Sequence, residues 1–134
     1  MRRRCPGSTY VGTAILAQWK WIICSAGYAN IVPSPDDIVY GMIYTLTPED
    51  EAKLDGYEGV PYDYLKYTLP VKVLKGEGQG TSINALVYVD VERLDEGPPR
   101  HEYIARINHA FRDGKREGIP QTYIDKYIRK FIPK

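Results

Sequence analysis

One short stretch of this chain brings a carboxylate and several tyrosines together: Leu54-Asp55-Gly56-Tyr57-Glu58-Gly59-Val60-Pro61-Tyr62-Asp63-Tyr64. Glu58 falls where a short helix would fray, between glycines and with aromatic residues on both sides. A carboxylate so placed can be partly desolvated, and loss of water raises its pKa toward the range useful for proton transfer. By spacing alone the stretch fits an exposed loop glutamate in an acidic segment better. The tyrosine count adds weight to the chemical reading, with 12 tyrosines against two phenylalanines. Tyrosine gives a pocket apolar walls and hydroxyls that can orient a polar ligand.

Other chemistries find little support. The chain has no Walker loop, dinucleotide fingerprint or metalloprotease helix. Gly76-Glu77-Gly78-Gln79-Gly80 lies between two strand-like segments with no helix after it, and reads as a hairpin loop. No serine or cysteine has a neighbouring base in sequence. Cys5 and Cys24 make no disulfide framework and read as two reduced cysteines, while His101 and His109 form no ligand-like cluster with them. No metal and no cofactor are expected.

The elements that must position Glu58 come from one ordinary domain's length, 134 residues, 43% hydrophobic and 26% charged. That composition excludes a disordered chain, and no apolar run reaches the ~18 residues needed to span a bilayer. Met1-Arg2-Arg3-Arg4 is basic like the start of a signal peptide, but Cys5-Pro6-Gly7-Ser8-Thr9 replaces the apolar stretch, so a cytoplasmic protein is expected. Charge is uneven. Residues 36–63 hold eight acids against Lys53, and residues 100–134 hold nine bases against four acids. Those bases are spread among acids at helical spacing, as on a solvated helix face, so nucleic acid is not the expected partner.

Thr9 to Leu16, Trp19 to Cys24, Tyr28 to Val32 and Ile38 to Tyr44 read as strands, with Pro33-Ser34-Pro35-Asp36-Asp37 as a turn and Gly41 as a bulge. Thr47-Pro48-Glu49-Asp50-Glu51 is a helix start, with an N-cap hydroxyl, proline at the first position and acids in the first turn; Gly56 and Gly59 stop it. Tyr64 to Leu74 and Ile83 to Val91 give two more strands. Tyr103, Ile104, Ile107, Ala110 and Phe111 mark one apolar helix face, ended by Gly114 and Gly118. Pro120 starts a last helix with Tyr123, Ile124, Tyr127, Ile128 and Phe131 on its buried side. The order predicts an α+β fold, with a curved or closed, mostly antiparallel sheet and helices against it, over residues 1–134 as a single domain.

Five blocks stand in order along the chain: Gly27-Tyr28-Ala29-Asn30-Ile31-Val32-Pro33, Val39-Tyr40-Gly41-Met42-Ile43-Tyr44, Leu54-Asp55-x-x-Glu58-Gly59, Pro98-Pro99 before Tyr103-Ile104, and Gly118-Ile119-Pro120-x-x-Tyr123. Together they resemble the γ-glutamylcyclotransferase family, including its AIG2-like members. The resemblance runs through essentially the whole chain and implies a small β-barrel with flanking helices. It also implies release of 5-oxoproline from a γ-glutamyl amino acid or amine, the α-amine of the glutamyl group attacking its own γ-carbonyl. In that chemistry Glu58, matching the family's Glu-Gly pair, is the general acid/base. Tyr103 is the best match for a hydroxyl that binds the glutamyl group. Tyr64 and Tyr88 are further pocket residues that fit equally well as core tyrosines.

The sequence also departs from the family's pattern. Relatives hold the γ-glutamyl group on the backbone amides of a Tyr-Gly-Ser-Asn loop that does not occur here, and Arg4-Cys5-Pro6-Gly7-Ser8 resembles the segment that follows it. The chain is therefore expected to begin inside the domain, to leave an open strand edge beside residues 9–16, and to turn over little by itself. Ala26 stands where an arginine is expected in relatives. The partners expected are a small γ-glutamyl substrate and, through an exposed strand edge, a second copy of the chain. Sibling activities on γ-glutamylamines or glutathione, and a non-catalytic binding role, remain alternatives.

Overall fold

A computed structural model of the chain describes residues 7–60, 62–76 and 78–133. The segment Arg4-Cys5-Pro6, and with it Cys5, lies outside the described residues. Two long strands open the fold, β1 (Thr9–Ile23) and β2 (Ala29–Thr45), followed by helix α1 (Pro48–Tyr57). Strands β3 (Leu65–Gly76) and β4 (Ser82–Val89) come next, then helix α2 (His101–Arg116). A single turn, α3 (Gln121–Tyr123), runs directly into a π-helical turn, Ile124–Ile128. The fold is α+β, and its one sheet is antiparallel in the order β2-β1-β3-β4.

Four expected strands are thus two. Residues Thr9 to Cys24 do not break at Ala17-Gln18, because pairing with β2 resumes beyond them: Ala17 faces Ile38 and Trp19 faces Pro33. Opposite Gln18, which takes a left-handed φ of 68°, residues 34–37 bulge out of β2. The Pro/Asp cluster is therefore a wide bulge inside a continuous strand rather than a turn between two. Ser34 donates to Asp37 at 2.5 Å, and Tyr127 also bonds Asp37, which fastens the bulge to the C-terminal helical segment. Gly41 is not a bulge; it pairs in register with Ala14, and the other register break falls at Val11, between Tyr10 and Gly12.

The sheet curls without closing into a barrel. Its outer strands meet at one end through side chains: the Asn30 amide donates to the Asp90 and Arg93 carbonyls at 2.9 and 3.1 Å, and its oxygen accepts from the Asp90 N–H at 3.0 Å. Beside this clasp the Tyr64 hydroxyl donates to the Ala29 carbonyl at 2.8 Å. The edge expected to be open beside residues 9–16 is occupied in its middle, where β3 pairs with Gly12–Ile15 on the side of β1 away from β2.

Helix α2 lies on the sheet as its apolar face requires. Ile107 is part of the core cluster with Trp21, Ile23, Val71, Val89 and Ile128, and Tyr103 and Phe111 pack against that cluster. Trp21 meets Phe111 and Phe131 edge-on at centroid distances of 5.9 and 6.0 Å. The helix runs through Gly114 rather than ending there: a Cβ at that position would lie 2.6 Å from Ile119 Cδ1, so glycine permits the close return of the chain. The fully buried Thr13 hydroxyl donates to the Glu117 carbonyl at 2.7 Å and ties the end of α2 to β1. No helix among the described residues is long and apolar enough to cross a membrane.

Candidate functional site

Glu58 caps the C-terminus of α1, and local chemistry explains why the helix ends there. Thr47 is the N-cap, its hydroxyl accepting from the Asp50 N–H at 3.1 Å, with Pro48 at the first position. The helix passes through Gly56, and the Glu58 N–H donates to the Leu54 carbonyl at 2.9 Å. Gly59 then takes a φ of +65°, the left-handed conformation in which any Cβ is strained. The next turn closes with the Asp63 N–H on the Gly59 carbonyl at 2.7 Å. The Glu-Gly pair is thus a helix stop that leaves Glu58 half-buried at the mouth of two cavities.

The last turn of α1 is held to the sheet by Asp55. Its carboxylate accepts from the Tyr88 hydroxyl at 2.6 Å and from Lys66 Nζ at 3.0 Å, and Lys66 also pairs with Glu51. The Tyr88 hydrogen bond, with Lys66 behind it, keeps the Asp55 carboxyl below its ordinary value. Burial and the Asp55 bond push Tyr88 well above the usual phenol value. Tyr64 is raised as well, by burial first and then by the nearby Glu58 charge. Both phenols therefore stay neutral, with their protons committed to Asp55 and to the Ala29 carbonyl.

The smaller cavity, about 600 Å³, is lined by Glu58 together with Tyr64, Tyr88 and Tyr103, so the four residues singled out from sequence share one space. Tyr103 enters from α2. Its ring meets Tyr28 edge-on at 5.3 Å, with the Arg106 guanidinium 5.2 Å from its centroid. The Arg100 guanidinium lies 4.8 Å from the Tyr28 ring, and its Nε donates to the Ala26 carbonyl at 3.0 Å. Arg93 pairs with the buried Asp90 at 2.8 Å. Burial would raise the Asp90 carboxyl, but Arg93 and the backbone N–H groups of Glu92 and Arg93 outweigh it and hold it low. Cys24 is buried and free in the same wall.

The larger cavity, about 1380 Å³, opens on the other side of Glu58 between the end of β2, α1 and α2. Tyr57, Glu58 and Arg106 line both spaces. Sequence reasoning missed the three arginines and Asp55. Arg106 carried one usable signal: it stands one helical turn after Tyr103 and so shares its face. Arg93 and Asp55 carried none, because their partners come from other elements. Chemically, the arrangement offers a carboxylate between two spaces, one compact and walled by neutral phenols and guanidinium groups, the other wide and partly apolar.

Residues 2–106 match the profile described as "Gamma-glutamyl cyclotransferase, AIG2-like". Among solved structures, the chain is similar to one described as "Gamma-glutamyl cyclotransferase", at 23% identity and a TM-score of 0.79, covering 99% of this chain and 80% of that one. An uncharacterised protein from Homo sapiens gives 24% identity with the same TM-score and coverage. A protein from Arabidopsis thaliana gives 22% identity and a TM-score of 0.53, over 81% of this chain and 65% of that one. At these identities the structural likeness concerns the fold. No curated protein matches the chain.

Proposed function

Because the chain belongs to the AIG2-like γ-glutamyl cyclotransferase family, we propose that it releases 5-oxoproline and a free amino acid or amine from a small γ-glutamyl substrate in the cytoplasm. The observation that carries this reading is the placing of Glu58 in one cavity with Tyr64, Tyr88 and Tyr103. The α-amine of the glutamyl group attacks its own γ-carbonyl, forming the ring C–N bond. As the bond to the leaving nitrogen breaks, one proton leaves the attacking amine and one must reach the leaving amine. A single carboxylate within reach of both nitrogens takes the first and delivers the second, and that is the role assigned to Glu58. Confinement in a compact cavity favours the folded conformer that ring closure needs.

The tyrosines divide the remaining work. Tyr103 is the hydroxyl assigned to the glutamyl group. Tyr64 and Tyr88 have their protons committed elsewhere, so they offer the substrate acceptor oxygens and neutral apolar walls. The compact cavity also carries Arg100, whose positive charge suits the glutamyl carboxylate, while Arg93 is paired with Asp90. The test is to incubate the purified chain, and a form extended by the family's upstream Tyr-Gly-Ser-Asn segment, with a γ-glutamyl dipeptide and to quantify 5-oxoproline by chromatography. Formation above the uncatalysed rate supports the reading. Its absence with both forms overturns it.

A further inference from the structure

We infer that Arg106 reads the leaving group, selecting γ-glutamyl amino acids, whose departing nitrogen carries an α-carboxylate, over γ-glutamyl amines that lack one. The inference rests on the cyclotransferase reading and assigns the end of the substrate that this reading leaves open.

The scissile amide must lie beside Glu58, where the two cavities meet. With the glutamyl group in the 600 Å³ space, the leaving group projects into the 1380 Å³ one. An amino acid's carboxylate is attached to the carbon next to the departing nitrogen, so it falls at the divide and not at the far end of the wider space. Arg106 is the cationic side chain that lines both cavities. It forms no ion pair with a carboxylate among the described residues, and its packing is against the Tyr103 ring, 5.2 Å from the centroid. A guanidinium stacked on a ring keeps its in-plane N–H groups directed outward, the geometry for bidentate binding of a carboxylate.

The other two arginines are differently employed. Arg93 is bonded to Asp90, and Arg100 is bonded to the Ala26 carbonyl while packing over Tyr28. Both line only the compact cavity. Beyond Arg106 the wider space is walled by Met42, Tyr44, Leu54 and Tyr57, and further along α2 by His109, whose Nε2 lies 3.6 Å from the Asp113 carboxylate. The first surface suits an apolar amino-acid side chain, and His109 faces Asp113, so Arg106 is the guanidinium at the divide.

The experiment compares γ-glutamyl-leucine with γ-glutamyl-isoamylamine, which has the same apolar body without the carboxylate. Dissociation constants for both are measured by NMR titration on the 134-residue chain and on its Arg106→Ala and Arg106→Lys variants, with 5-oxoproline followed in parallel. The expected result is a preference of at least ~10-fold for the dipeptide in the parent chain, abolished in Arg106→Ala and partly restored in Arg106→Lys, with folded-state spectra unchanged. Equal affinity for the two ligands in the parent chain, or a preference that survives in Arg106→Ala, overturns the assignment. Binding with the expected preference but without 5-oxoproline would leave the role of Arg106 standing, and absence of 5-oxoproline also from the form extended by the Tyr-Gly-Ser-Asn segment would count against the catalytic reading alone.

Discussion

Removing the Tyr88 hydroxyl should loosen the helix end that carries Glu58, and the size of the effect follows from the hydrogen bond it makes. In Tyr88→Phe the ring stays in place, but the Asp55 carboxylate loses a 2.6 Å donor. Hydrogen bonds to charged groups contribute ~1.5–3 kcal/mol. Asp55 keeps Lys66 at 3.0 Å and is 29% exposed, so water partly replaces the lost donor and the lower end of that range applies. The expected loss is about 1.5 kcal/mol, which for a chain of this length is a fall in Tm of about 6 °C. Asp55→Ala removes the same bond from the other side. Thermal and urea unfolding of the two single variants and the double variant therefore form a cycle, with an expected coupling of at least ~1 kcal/mol. A coupling below ~0.5 kcal/mol, with additive single losses, would refute the view that Tyr88 acts through Asp55.

Gly59→Ala should lose about 1–2 kcal/mol, because any Cβ is strained at its φ of +65° and would also press on the Asp63 carboxylate; an unchanged urea midpoint would count against this account of the helix stop. Asn30→Ala leaves the Asp90 N–H and two carbonyls without the side chain that serves them, a loss of about 2–4 kcal/mol in a clasp between the sheet's outer strands. Denaturant unfolding would measure it, and a loss under ~1 kcal/mol would show that the clasp is dispensable. Tyr64, Tyr88 and Tyr123 have folded-state values raised above the 10.0 of a free phenol, chiefly by burial. Their neutral forms therefore contribute stability that is fully present below pH 10 and lost as pH rises through the raised values. Ultraviolet titration should show these phenols ionising only with unfolding; smooth reversible ionisation of every tyrosine near pH 10, with circular dichroism unchanged, would contradict this.

What the sequence made legible was what is decided locally. Thr47-Pro48 and the acids after it announce α1 because capping is settled within one turn, and the spacing of Tyr103, Ile107 and Phe111 announces α2 because a helix must bury one stripe. Glu58-Gly59 was legible for the same reason, as a helix stop. The continuity of β1 and β2 was not. Pro33 to Asp37 has the composition of a turn, and only pairing on both sides of Gln18 makes it a bulge. The roles of Tyr64 and Tyr88 were equally hidden, since Ala29 and Asp55 lie far off in the chain and meet them only through the curl of the sheet. Arg106 was obscured by its setting, a base among several on an exposed helix face whose importance depends on which cavities the tertiary fold opens beside it.

The proposed role of the Glu58 carboxylate is to move the proton between the two nitrogens. Glu58→Gln keeps the shape of the side chain and removes that ability. Initial rates of 5-oxoproline release from a γ-glutamyl dipeptide should be compared for the parent and the variant in the form bearing the upstream Tyr-Gly-Ser-Asn segment, with circular dichroism as the check on folding. The account predicts a rate at least ~10²-fold lower in the variant, the usual contribution of general acid–base catalysis. Near-normal release from a folded Glu58→Gln protein would contradict it.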